Sequence, residues 1–194
     1  MKFQFDKDII LENERALLRP LTIEDYDRLL PVATAHKDLL QYSPTPLHDP
    51  ELFKKYVMDA LAEREKKFRY AFSVFDKKTQ QFAGSTSMAN ISNYDKRLEI
   101  GWTWYGKEFQ RSGLNRACKL LLLTYCFETL AFERVEFRID ERNQASRTAV
   151  EKIGGRFEGV LRSHMTMPNN LRRNTCYYSI IKNEWEEVKN NLEK

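Results

Sequence analysis

The stretch 97–140, RLEIGWTWYGKEFQRSGLNRACKLLLLTYCFETLAFERVEFRID, restricts the possible folds more than any other part of the chain. Its first ten residues alternate with a period of two, as a strand does. After Gly106 and Gly113 the period becomes helical. Ala117, Cys118, Leu121, Leu122, Tyr125 and Cys126 then form one stripe, with Leu120, Leu123 and Phe127 beyond it. An apolar face that broad has to be buried on more than one side. A second strand follows at 134–140, so the centre of the protein is a strand–helix–strand unit whose helix, predicted over 115–130, is packed inside it.

The rest of the chain surrounds this unit with shorter elements. Two short strands are expected around Glu12-Asn13, ending at Pro20, and then a helix capped by Thr22 and running to about Ala35. A proline-punctuated loop at 42–50 precedes an amphipathic helix over about 51–66. Strands at 69–76 and 81–92 flank a turn over 77–80, and a short helix at 143–153 is stopped by Gly154-Gly155. Two final strands are predicted near 156–166 and 175–182, with a charged, exposed tail from about 184 to 194. The sum is a mixed α/β fold: a mostly antiparallel twisted sheet flanked by helices, in a single domain over 1–194.

The charge balance narrows the choice of ligand. The 194 residues carry 32 basic and 28 acidic side chains, a net +4. Residues 106–120 hold Lys107, Arg111, Arg116 and Lys119 against Glu108 alone. That local excess suits a small phosphorylated ligand, and the chain lacks the long basic stripe of a nucleic-acid binder. Its longest apolar run is Leu120–Leu123, too short to span a membrane, and the first residues lack the apolar core of a secretory signal. The cytoplasm is therefore the expected compartment. Cys118, Cys126 and Cys176 are read as reduced structural thiols, and the scattered His36, His48 and His164 argue against a metal site.

Alternation in 97–106 sends Leu98, Ile100, Trp102 and Trp104 to one sheet face, and Glu99, Gly101, Thr103 and Tyr105 to the other. Glu99 is then either a solvated charge or a base. The buried helix after Gly113 presents unpaired N–H groups and a positive dipole end, so Gly113 with flanking Arg111 and Arg116 makes a plausible anion cradle. Walker A and Rossmann phosphate loops need glycine patterns that this chain does not contain.

Taken together, EIGWTWYGKEFQRSGLNRACKLLL and RVEFRIDERNQASRTAVEKIGG resemble the cofactor-binding half of the GNAT superfamily of acyl-CoA N-acyltransferases. LLRPLTIEDYDRLLPV is similar to that family's opening strand and helix, and the likeness runs from about Leu17 to Trp185, with the cofactor half over about 97–155. The ribosomal-protein N-terminal acetyltransferases are the branch it resembles most. The resemblance implies acetyl-CoA as cosubstrate, without a metal. Backbone amides of Gln110, Arg111, Ser112, Gly113, Leu114 and Asn115, with Arg111 and Arg116 nearby, would hold its diphosphate. Trp102, Thr103 and Trp104 would pair with the pantetheine arm as an added strand, and Asn143 would contact the cofactor while capping its helix. Asn115 stands where the family's loop ends in glycine or alanine.

Acyl transfer from a thioester to an amine requires a neutral nucleophile and a protonated leaving thiolate. By the same resemblance Glu99 is the base. Many relatives carry an acidic tyrosine where this chain has Val150, so Ser146 is taken as the acid ahead of Tyr177 or Tyr178. The expected acceptor is a protein or peptide N-terminus, attacked directly in a ternary complex. Alternatives are a small-molecule amine such as a polyamine or antibiotic, or a non-catalytic acyl-CoA-binding module. A homodimer is left open. The tryptophans are read mainly as packing, Arg172 and Arg173 as part of a solvated turn at 167–175, and His164 as a half-buried strand residue.

Overall fold

The structure is a computed structural model describing residues 1–168 and 170–194. Asn169, in the expected hairpin turn, lies outside the described residues. Strands β1 (Leu11–Glu12), β2 (Ala16–Pro20), β3 (Arg69–Asp76), β4 (Gln81–Ser92), β5 (Arg97–Tyr105), β6 (Arg134–Asp140), β7 (Arg156–Thr166) and β8 (Arg172–Ile181) form one sheet in the order β1-β2-β3-β4-β5-β6-β8-β7. Every neighbouring pair is antiparallel except β5 and β6, which are joined by the buried helix. The mixed α/β fold expected from the sequence is the fold observed.

Among the described residues five α-helices cover the sheet: α1 (Asp25–Thr34), α2 (Pro50–Glu65), α3 (Leu114–Thr124), α4 (Gln144–Lys152) and α5 (Trp185–Glu193). Leu29 and Ala33 of α1 join Phe53, Tyr56 and Val57 of α2 over one face. On the other face Leu114, Cys118 and Leu122 of α3 pack with Val150 of α4 and with Trp185, Val188 and Leu192 of α5. Aromatic and aliphatic side chains removed from water on both faces supply the main driving force for the fold.

Several local expectations are corrected. Thr22 does not cap α1; the helix starts at Asp25, whose carboxylate accepts the Thr22 N–H at 2.9 Å. The long helix is not uniform, because Tyr125–Thr129 forms a π-helical turn after α3. The charged C-terminal tail is exposed on one side only: it forms α5, which buries Trp185, Val188 and Leu192. Trp185 stacks on Phe127 with centroids 5.3 Å apart, and its indole N–H donates to Glu128 Oε1 at 2.9 Å. An apolar stripe at Trp185, Val188 and Leu192 was hidden among the charges of the tail. Arg173 is not in a solvated turn: it is 7% exposed in β8, where it donates to Thr175 Oγ1 at 3.1 Å. His164 is exposed, its Nδ1 3.0 Å from Thr175 Oγ1, because β7 slips register between Leu161 and Met165.

Candidate active site

The site is built where β5 and β6 part. Their parallel pairing consists of Arg97 with Arg134, Leu98 with Val135, and Glu99 with Glu136, and goes no further. Beyond that vertex β5 continues to Tyr105 and β6 to Asp140, leaving an opening between the two strands. The strands are parallel, so the helices that follow them start at the same edge of the sheet. Gly113, the N-cap of α3, and Asn143, the N-cap of α4, therefore flank the mouth of the opening with two positive dipole ends.

A bulge bends β5 away from its partner. Trp102 has φ 47°, which is strained for a bulky residue, and the register against β4 shifts between Ser85 and Ser87. The extra residue overturns the expected alternation. Leu98, Ile100 and Tyr105 pack on the α3 face, whereas Trp102 and Trp104 pack on the α1/α2 face. Thr103, expected beside Glu99, instead turns toward α3, where Lys119 Nζ donates to its Oγ1 at 3.1 Å.

Glu99 is 5% exposed and leans over Gly101, where an added Cβ would lie 3.1 Å from its Oε1. Asn90, held at φ 50° at an irregularity in β4, donates to Glu99 Oε2 at 2.6 Å. Arg138 Nε lies 3.1 Å from the same oxygen, and Arg138 Nη2 lies 3.4 Å from Glu136 Oε2. Burial raises the Glu99 pKa, and Arg138 and Asn90 only partly oppose that rise. A carboxyl whose pKa burial raises, set at the vertex, is a candidate proton acceptor.

The loop expected to form an anion cradle differs from expectation in its side chains. Arg111 (φ 57°) and Gly113 (φ 87°) turn the loop so that an added Gly113 Cβ would meet nothing within 4 Å. Ala117 N–H is bonded to Gly113 O, but among the described residues no acceptor serves the N–H of Arg111, Ser112, Gly113, Asn115 or Arg116. Gln110 Nε2 closes the loop onto Tyr105 O at 3.1 Å, and Ser112 Oγ donates to Phe109 O at 2.6 Å. Leu114 is buried beneath the loop, its N–H 3.4 Å from Ser112 Oγ.

The Arg116 side chain is not at the cradle. It donates to Leu192 O at 2.8 Å and Asn191 O at 3.0 Å, capping α5. Lys107 is paired with Asp38 at 2.7 Å, and Lys119 is buried. Arg15, which sequence reasoning missed, is ion-paired with Asp76 at 3.1 Å and also donates to Ser112 Oγ at 3.3 Å, beside the loop.

At the other helix end, Asn143 Oδ1 accepts the Ser146 N–H at 3.1 Å, the expected cap. Val150 is 8% exposed and belongs to the core. The two candidate tyrosines are separated by the sheet. Tyr178 is fully buried on the α4 side, donating to Glu151 Oε1 at 2.9 Å and accepting from Arg147 Nε at 3.0 Å. Tyr177 lies on the Glu99 side, with the Arg138 guanidinium 5.2 Å from its ring centroid.

Residues 15–156 match the family described as the acetyltransferase (GNAT) domain. The chain belongs to that family. Among curated proteins it is 36% identical over 106 residues to "Putative ribosomal N-acetyltransferase YdaF" of Bacillus subtilis strain 168, a match covering 55% of this chain and 57% of that protein. The match thus spans just over half the length of that relative. A solved "putative acetyltransferase" from T. thermophilus is 30% identical with TM-score 0.85, covering 95% of each chain. A GCN5-related N-acetyltransferase from Brucella melitensis shares the fold at TM-score 0.90 and 24% identity, covering 99% of this chain and 87% of the other. Among the described residues no helix is long and apolar enough to cross a membrane, and no cluster of metal-ligating side chains occurs.

Proposed function

We propose that this GNAT-family protein transfers an acetyl group from acetyl-CoA to a primary amine by direct attack in a ternary complex, and that the amine is a protein or peptide N-terminus. The observation that carries the proposal is the opening between β5 and β6, with the N–H groups of Arg111, Ser112, Gly113, Asn115 and Arg116, unpaired among the described residues, at its mouth and Glu99 at its vertex. Those amides, with Arg111 and Arg15, fit a diphosphate, and the free edge of β5 at Trp102–Trp104 fits an extended arm. Bound acetyl-CoA would supply an activated thioester. Every other contribution comes from the chain.

Glu99 accepts the proton that the amine loses on attack. An α-amine with pKa about 7.8 costs only about 1 kcal/mol to deprotonate at neutral pH, against about 4.6 kcal/mol for a lysine near 10.4. One buried carboxylate of raised pKa is matched to the first task and poorly matched to the second. Ser146, half-buried at the head of α4, is the proposed proton donor to the leaving sulfur. No cysteine stands ready as a nucleophile: all three are buried, and burial lifts the Cys118 thiol to about 12.

The test is thiol release from acetyl-CoA with mass spectrometry of products across N-terminal peptides, lysine peptides and polyamines. Acetylated peptide N-termini are expected. Acetylation confined to polyamines would move the acceptor to small molecules, and tight cofactor binding without release to any acceptor would leave only a binding module.

A further inference from the structure

Among the described residues Lys119 is a cation without a counter-ion. It is 4% exposed, and among the described residues no carboxylate pairs with it. Its one hydrogen bond among those residues is the 3.1 Å donation to Thr103 Oγ1, and its Nζ lies 5.9 Å from the Phe137 ring centroid. Thr103 in turn shares a 2.7 Å hydroxyl contact with Thr86. An ammonium has three protons to place, and a buried one without a partner costs several kcal/mol. Methionine would fill the same space without that cost.

Its position gives the charge a use. Phe137 is the first β6 residue beyond the last paired one, Glu136, and Thr103 lies on β5 between the Glu99 vertex and the loop at the mouth. The ammonium therefore spans the parted strands from the α3 side, partway along the opening. The groups facing it are Thr103 from β5, Phe137 from β6 and Cys118 from its own helix, none of them anionic. Thr103 and Trp102 are only half-buried, so a ligand in the opening can approach.

We propose that Lys119 stabilises the departing coenzyme A thiolate; the inference rests on the acetyl-CoA reading above. As the amine nitrogen bonds to the carbonyl carbon, the C–S bond breaks and its electron pair passes to sulfur. The amine proton goes to Glu99, and the sulfur is held as an anion against the Lys119 ammonium until a solvent proton, relayed through the Ser146 hydroxyl, makes the thiol. Thr103 positions the ammonium. Burial lowers the Lys119 pKa from 10.5 to about 8, which leaves it mostly charged at neutral pH, and a thiolate in the opening would hold it charged.

The test is an ultraviolet titration of the thiol of coenzyme A bound to wild-type protein and to Lys119→Met, with binding followed by calorimetry. In the wild type the bound thiol should titrate about one pH unit or more below the free thiol, and in Lys119→Met that displacement should vanish while coenzyme A still binds. Turnover of Lys119→Met should fall about 10- to 100-fold with the acetyl-CoA KM nearly unchanged. The same thiol titration in both proteins would overturn the role of Lys119 and leave the transferase reading standing. Failure of the wild type to bind coenzyme A would overturn both. A measurement on the wild type alone guards against a variant that does not fold: binding of coenzyme A should tighten relative to desulfo-coenzyme A as pH rises from about 6 to 8. Identical pH dependence for the two ligands would equally reject the proposal.

Discussion

Glu99 and Arg138 meet across the point where β5 and β6 separate, with Oε2 and Nε 3.1 Å apart. The pair holds a charge where the sheet has lost its backbone bonds, yet burial still raises the carboxyl pKa. Glu99→Gln should lower kcat/KM for a peptide N-terminus about 10- to 100-fold near neutral pH. The acidic limb of the profile should then follow the free amine alone, near about 7.8. A pH–rate series on both proteins checks this, and an unchanged limb would remove Glu99 as base.

Gly113 stands at φ 87° with open space around its missing Cβ. Gly113→Ala therefore costs backbone strain of about 1 kcal/mol without a clash, and it turns the cradle amides. The acetyl-CoA KM should rise about fivefold or more with kcat little altered. Calorimetric titration with acetyl-CoA measures the loss directly.

Arg116 belongs to stability. Its two bonds to α5 carbonyls hold the C-terminal helix at the head of α3. Arg116→Ala should lower Tm by about 2–4 °C, the equivalent of about 1 kcal/mol, and leave acetyl-CoA binding unchanged. A large loss of affinity at unchanged Tm would return this side chain to the cofactor site.

Lys119 links the site to pH-dependent stability. Its folded pKa, about 8, lies below the unfolded value, so the unfolded chain binds more protons between pH 8 and 10.5. The cost of the buried charge is thus full below about pH 8 and is relieved as pH rises toward 10.5. Lys119→Met should be the more stable protein at pH 7, by on the order of 3 kcal/mol at most, with the difference shrinking toward pH 10. Denaturant midpoints for the two proteins at both pH values decide it.

Much of the site was legible in the chain because local chemistry specified it. Gly113 with its flanking polar residues marked the cradle loop, Asn143 marked a helix cap, and the breadth of the α3 stripe marked the crossover. Asn90 and Arg138 were missed because nothing near them in sequence signals Glu99: Asn90 arrives through an irregularity in β4, and Arg138 through a parallel pairing nearly forty residues long in the chain. The expected partnership of Thr103 with Glu99 failed for one reason. Alternation assumes an unbroken strand, and the added residue at Trp102 reverses every side chain after it.

By itself, the sequence determined the order of elements, the buried crossover helix and the loop at its head, since periodicity and glycine placement act over a few residues. Only the tertiary structure decided where β5 and β6 part, which cations reach the candidate cradle, and that Lys119 lies buried with no counter-ion among the described residues. Those outcomes depend on pairing register and on which charges find partners from distant segments, and neither is fixed until the whole sheet has closed around its two cores.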